Sequence, residues 1–157
     1  MKILGIDPGT ATTGFGVIEK KNGKLSHLDH GVVSTSKELP MSNRLLVLFS
    51  DIEELISKHH PDVVAVEQLF FARNVTTALT VGQARGVILL AAQKADLHLV
   101  EFTPLQVKQS VTGYGQATKK QVQEMVKKIL TLDSLPTPDD AADALAIAIC
   151  ASNTKIL

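Results

Sequence analysis

Hydrophobic positions fall into short runs in the first third of this chain and into helical stripes after it. Residues 2–7 are apolar up to Asp7 and read as a buried strand. Residues 14–19 and 25–35 read as two further strands, joined by Lys20-Lys21-Asn22-Gly23, where Asn-Gly is a hairpin signal. The first third is therefore expected to form an antiparallel three-stranded meander. Leu45, Leu48, Phe49, Ile52, Leu55 and Ile56 recur at helical spacing and predict a helix over 42–59, ended by Pro61. Residues 62–66 are wholly apolar, the pattern of a parallel strand buried on both faces. A long helix over 75–95 and a strand over 98–102 follow.

Thr103-Pro104 starts a short helix, with threonine as cap and proline at the first helical position, and Gly113-Tyr114-Gly115 breaks it. Thr118 with Gln121 forms a capping box for a helix over 118–130. The last helix is expected from about 138 to 151, with Thr137 as its cap and Pro138 in its first turn. The order is βββαβαβ followed by helices. It predicts an α/β fold with one mixed sheet of five strands, three antiparallel and then parallel, flanked by helices. The 157 residues show no repeat or linker and are expected to form a single domain over 1–157.

Composition narrows the setting. Hydrophobic residues make up 45% and charged residues 20%, the balance of a chain that buries a real core. No apolar run approaches the length of a bilayer span, and the N-terminus does not read as a signal peptide. The one cysteine, Cys150, excludes an internal disulfide framework and fits a reducing cytoplasm; it reads as a small buried apolar residue. Net charge is zero, which does not advertise a nucleic-acid binder, but the charge is unevenly spread. Residues 73–120 hold Arg73, Arg85, Lys94, Lys108, Lys119 and Lys120 against two acids. These bases either face phosphate or are solvated surface.

Four acids interrupt apolar stretches: Asp7 ends Ile3-Leu4-Gly5-Ile6, Glu67 ends Val63-Val64-Ala65-Val66, and Asp140 and Asp143 open the apolar last helix. An ionised carboxylate is tolerated in such surroundings when it is paired or bound to metal. No lysine or arginine neighbours them in sequence. If they converge, the fitting partner is a hard divalent cation, magnesium above others, and the chemistry is metal-assisted phosphoryl transfer, as in a nuclease. Asp7 and Glu67 both fall at the carboxyl ends of strands, where ligands gather in parallel sheets. Asp140 and Asp143 are three apart and share a helix face. An acid-bearing helix across that edge would complete a two-metal site. Each acid has a plainer reading: Asp7 as a turn residue, Glu67 as a solvated strand end, Asp140 as an acid at the third helical position closing a capping box. Asp143 lies beyond the reach of capping and is either on a thin polar stripe or functional.

Other residues carry weaker signals. Gly9, Gly14 and Gly16, with Thr10, Thr12 and Thr13 between them, form a glycine-threonine-rich turn without the Gly-Lys-Ser/Thr of a nucleotide P-loop. It resembles the phosphate loop of actin-like ATPases, whose required second copy is missing here. Phe70-Phe71 follows the Glu67 strand; the plain reading has at least one ring filling a core, and the alternative for the other is a wedge that stacks on an unpaired base, worth ~1–3 kcal/mol. Lys119 and Lys120 open a helix against its dipole, a cost that a phosphate would offset. Gly82 and Gly86 smooth one face of the 75–95 helix, for the core or for a dimer. The five histidines show no metal-binding spacing.

Taken together, Gly5-Ile6-Asp7-Pro8-Gly9-Thr10, Val66-Glu67-Gln68, Gly82-Gln83-Ala84-Arg85-Gly86, Gln106-Val107-Lys108-Gln109 and Asp140-Ala141-Ala142-Asp143-Ala144-Leu145-Ala146 closely resemble the RuvC Holliday-junction resolvases in content and order. The resemblance covers essentially the whole chain. It implies a ribonuclease-H-like fold and a magnesium-dependent endonuclease that resolves four-way DNA junctions by paired, symmetric nicks in recombination and repair. It implies Asp7, Glu67, Asp140 and Asp143 as ligands of two Mg2+ ions per subunit, with Mn2+ able to substitute. Phe70 matches the aromatic that inserts near the junction centre, and Lys108 and Lys119 match phosphate-contacting lysines, Lys119 also supporting catalysis. Arg73 is a further expected DNA contact. The 75–95 helix matches the family's dimer helix, so a homodimer is expected, with RuvA and RuvB as partners and no membrane. Asp139 stands beside Asp140, and the Asp-Ala-Ala-Asp match favours Asp140 as the ligand. A ribonuclease H acting on RNA or a hybrid, and a non-catalytic junction-binding module, are the alternatives.

Overall fold

The computed structural model describes residues 1–9, 11–68 and 75–154. Its strands are β1 (Lys2–Asp7), β2 (Thr12–Lys21), β3 (Lys24–Ser34), β4 (Val63–Glu67) and β5 (His98–Phe102). Its helices are α1 (Met41–His59), α2 (Val75–Lys94), α3 (Pro104–Thr112), α4 (Lys119–Ile129) and α5 (Asp139–Ser152). The sheet order is β3-β2-β1-β4-β5. β1, β2 and β3 pair antiparallel; β4 pairs parallel with β1, and β5 with β4. This is the expected five-stranded mixed sheet. The hairpin turns on Asn22 and Gly23, whose φ values of 52° and 77° are the doubly positive pair of a type I′ turn. A bulge leaves Leu28 as the extra residue of β3, since Val17 faces Asp29 and Ile18 faces His27.

Side-chain alternation divides the core in two. Leu4, Ile6, Val17, Val64 and Val66 pack under α1 and α2, whereas Ile3, Ile18, Val63 and Ala65 pack under α3, α4 and α5. The stripe predicted for α1 meets the first layer, with Leu48, Ile52 and Leu55 buried. The predicted capping box of Thr118 with Gln121 is present, and Thr103, predicted as a cap, also closes one with Gln106.

From Ala141 to Ser152 every residue of α5 except Asp143 is buried, which explains a helix so nearly without polar side chains. It reaches the sheet because glycines lie beneath it. A Cβ on Gly5 would stand 2.2 Å from the Ala144 carbonyl oxygen, one on Gly14 1.9 Å from that of Asp140, and one on Gly16 2.7 Å from the Leu145 nitrogen. Gly14 and Gly16 are thus not turn residues, as the sequence pattern led us to expect. They lie inside β2 and serve close packing.

Two further expectations are corrected. Pro138, not Thr137, is the N-cap of α5: its backbone is extended (φ −70°, ψ 177°), so the helix starts at Asp139 and Asp140 is its second residue. Asp140 closes no capping box: it stands at the second helical position, Pro138 has no N–H to offer, and its carboxylate accepts from Thr12 instead. α2 is also long and apolar enough, by length and composition, to cross a membrane, with a mean hydropathy of 1.4. Polar residues interrupt it too often for a continuous apolar run, and its valines, leucines and alanines carry the average. Arg85, near its middle, pairs with Glu101 of β5 and ties it to the sheet. One face of α2 enters the core through Ala84, Ile88, Ala91 and Ala92, while Val75, Leu79 and Leu90 are 73%, 66% and 60% exposed.

Candidate metal centre

The parallel pairing of β1 with β4 places Ile6 opposite Val66. Asp7 and Glu67 therefore end neighbouring strands side by side. They follow Gly5 and Ala65 by two residues, so both carboxylates face the α5 layer. α5 enters over the same edge and contributes Asp140 and Asp143. Carboxylate oxygens of Asp7, Asp140 and Asp143 lie within 4.8 Å of one another. Asp139, its neighbour, points elsewhere, accepting from Gln123 Nε2 at 2.9 Å. The geometry brings Asp140 into the cluster and leaves Asp139 out.

Crowding like charges in a half-buried site raises their proton affinity. Asp7 is pushed up to about 8, first by burial and then by Glu67, Asp143 and Asp140, with Lys119 pulling the other way. Glu67 is pushed up to about 7 by burial and by Asp143, against a lowering pull from Lys108. Asp143 is raised by burial, with Lys119 opposing. The donor set is all oxygen and strongly anionic, which fits a hard divalent cation and offers nothing to a soft one.

A protein cation also stands there, which sequence proximity could not show. Lys119 Nζ lies 3.1 Å from Asp143 and 3.5 Å from Asp139. These acids offset the cost of a lysine at the first position of α4, a role that the sequence pattern had left to a phosphate. Lys119, Lys108, Glu67 and Asp143 share the wall of a cavity of about 190 Å³, floored by Val107, Val122 and Ala146. Lys120 turns away to a separate groove beside Tyr114 and Lys128. Thr10, Phe70, Phe71 and Arg73 lie outside the described residues. Thr12 was missed as a site residue: its hydroxyl donates to Asp140 Oδ2 at 2.6 Å. Its alternation with Gly14 and Gly16 was the available signal.

The chain matches the family model for crossover junction endodeoxyribonuclease RuvC over residues 3–151. It belongs to the RuvC family. RuvC of Thermosipho melanesiensis is 57% identical over 150 residues, covering 96% of each chain. RuvC of Ruminiclostridium cellulolyticum is 54% identical, covering 98% of this chain and 93% of its own. Among solved structures, Thermus thermophilus RuvC in complex with Holliday junction substrate superimposes with a TM-score of 0.92 at 39% identity, covering 97% of this chain and 93% of that one. The yeast mitochondrial Holliday junction resolvase Ydc2, at 18% identity and a TM-score of 0.67, shares the fold. The RuvC family and the acidic cluster together indicate a divalent-metal nuclease.

Proposed function

We propose that this chain is a Holliday-junction resolvase, an endodeoxyribonuclease that nicks two strands of a four-way DNA junction symmetrically. The observation that carries this reading is the convergence of Asp7, Asp140 and Asp143 beside Glu67 in a chain that matches RuvC over nearly its whole length. These four carboxylates hold two magnesium ions, for which manganese substitutes. When bound, the ions supply an activated water and neutralise charge on the leaving 3′ oxygen.

The chain's own groups do the rest. Asp7 and Glu67 hold protons near neutrality and release them as cations arrive, so metal binding strengthens as pH rises. Lys119 is exchangeable: paired with Asp143 in the metal-free protein, it turns to the scissile phosphate and stabilises charge developing there. Lys108, which lines the same cavity, grips phosphate there. Phe70 stacks on a base near the junction centre, and Arg73 contacts the backbone.

Paired nicks need two sites, and the exposed apolar face of α2 supports a homodimer. A Cβ on Gly86 would meet nothing within 4 Å, so the fold of one chain does not require a glycine there. A helix mate does. By family likeness RuvA and RuvB are the partners, the compartment is the cytoplasm, and residues 1–157 form one nuclease domain.

The test is a nicking assay with magnesium on a synthetic four-way junction, beside linear duplex and RNA–DNA hybrid. Paired symmetric nicks in the junction alone are expected. Cutting of the hybrid in preference, or of nothing, overturns the reading.

A further inference from the structure

Asp140 is oriented by a residue 128 positions away. Thr12 opens β2, and its hydroxyl donates to Asp140 Oδ2 at 2.6 Å, within the range of a charge-assisted O–H···O⁻ bond. Among the described residues it is the only side-chain donor to that carboxylate. Thr12 and Gly14 occupy alternate positions of one strand and face α5. Gly14 lets the Asp140 backbone settle onto the strand, and Thr12 engages the carboxylate above it. Oδ2 takes that bond, and the carboxylate it fixes offers an oxygen within 4.8 Å of oxygens of Asp7 and Asp143.

The contrast with Asp143 is instructive. Its partner is the ammonium of Lys119, on a long and flexible stem, which competes with any cation for the same oxygen. Thr12 is neutral, short and β-branched, with few rotamers to lose. It orients without competing. Anchoring of α5 does not depend on it, since glycine packing and burial of its apolar residues already seat the helix.

We propose that Thr12 is a positioning residue of the metal centre, holding Asp140 in its ligating rotamer without touching cation or DNA. This inference rests on reading the carboxylates as a metal site. Partners of this kind typically contribute 10–100-fold to metal affinity.

The test is Mn2+ titration of the full chain without DNA, followed by electron paramagnetic resonance. The proteins are wild type, Thr12→Val, Thr12→Ala, Thr12→Ser, Asp140→Asn and the Thr12→Val/Asp140→Asn double variant, each melted first in EDTA. Thr12→Val, which keeps the shape and removes the donor, is expected to weaken Mn2+ binding about 10–100-fold, with Thr12→Ala behaving alike. Thr12→Ser is expected to restore binding, and Thr12→Val to add nothing once Asp140 is Asn. Wild-type affinity in Thr12→Val beside a loss in Asp140→Asn overturns the role of Thr12 alone. So does a Thr12→Val effect that persists in the double variant, or failure of both Thr12→Val and Thr12→Ala to fold, since each marks a structural tie. Absence of Mn2+ binding by the wild type overturns the metal-site reading and this inference with it.

Discussion

Neutralising Asp7 should abolish cleavage and stabilise the metal-free fold. The carboxyl is pushed up to about 8 by burial and by Glu67, Asp143 and Asp140, against an ordinary value of 3.8. The native state therefore holds a proton that the unfolded chain gives up. Stability from this group is complete below the unfolded value and is lost as pH rises from there towards 8. At pH 7 the penalty approaches ~4 kcal/mol, at about 1.4 kcal/mol for each pH unit above the unfolded value. Water at the open side of the cluster and the Lys119 ammonium reduce it, leaving a working range of about 1–4 kcal/mol. For a chain of this size about 2–4 °C of melting temperature corresponds to each kcal/mol. Asp7→Asn is nearly isosteric and cannot ionise, so in EDTA at pH 7 it should melt about 2–16 °C above wild type. The advantage should shrink towards pH 4, where both side chains are neutral. Thermal melts of the two proteins across pH 4–8, each also with magnesium, make the measurement. An Asp7→Asn protein that melts at or below wild type at pH 7 without metal refutes the reasoning.

Lys119→Met should tighten Mn2+ binding severalfold, by freeing Asp143, while slowing single-turnover cleavage at saturating metal; unchanged affinity would mean that the ammonium is no competitor. Gly14→Ala forces a Cβ to within 1.9 Å of the Asp140 carbonyl, so α5 must lift. A loss of about 1–3 kcal/mol or more in denaturant titration is expected, with cleavage lost alongside, and a stable, active variant would show that this contact does not set Asp140. Leu79→Asp, on the exposed face of α2, should leave the melting of a dilute sample within about 0.5 kcal/mol of wild type and, if the proposed dimer forms through α2, sediment as a monomer where wild type sediments as a dimer. A variant that stays dimeric removes α2 from the interface.

The chain order of elements was legible because each segment's pattern agrees with its final state: apolar runs in β1 and β4, one helical stripe in α1, Asn22-Gly23 between strands. So were the four acids, since an acid inside an apolar run has few inexpensive homes. Pairwise geometry was not. Nothing in the local sequence tells that Lys119 reaches Asp143, because they meet only when α4 and α5 pack on the same face of the sheet. The purpose of Gly14 and Gly16 was hidden likewise: beside Gly9 and three threonines they look like turn chemistry, and only the approach of α5 reveals close packing. Thr12 needed both facts at once, its strand register and the seat of the helix.

The same dependence ties metal binding to folding. Asp7, Glu67 and the α5 acids come from three elements far apart in sequence, so the unfolded chain holds no such cluster. A divalent cation therefore binds the native state and stabilises it by RT ln(1 + [L]/Kd), about 2.7 kcal/mol at a hundred times Kd. The acids act in opposite directions in the two forms. Without metal, their repulsion weakens the fold progressively as pH rises from the ordinary carboxylate range towards 7 and 8, the window in which only the native state holds protons on Asp7 and Glu67. With metal, those protons leave and the charges turn attractive, more so as pH rises. The metal-dependent gain in melting temperature should accordingly widen from pH 5 to pH 8 in wild type and be largely flattened in Asp7→Asn. A gain independent of pH in wild type would mean that the cation binds away from this cluster.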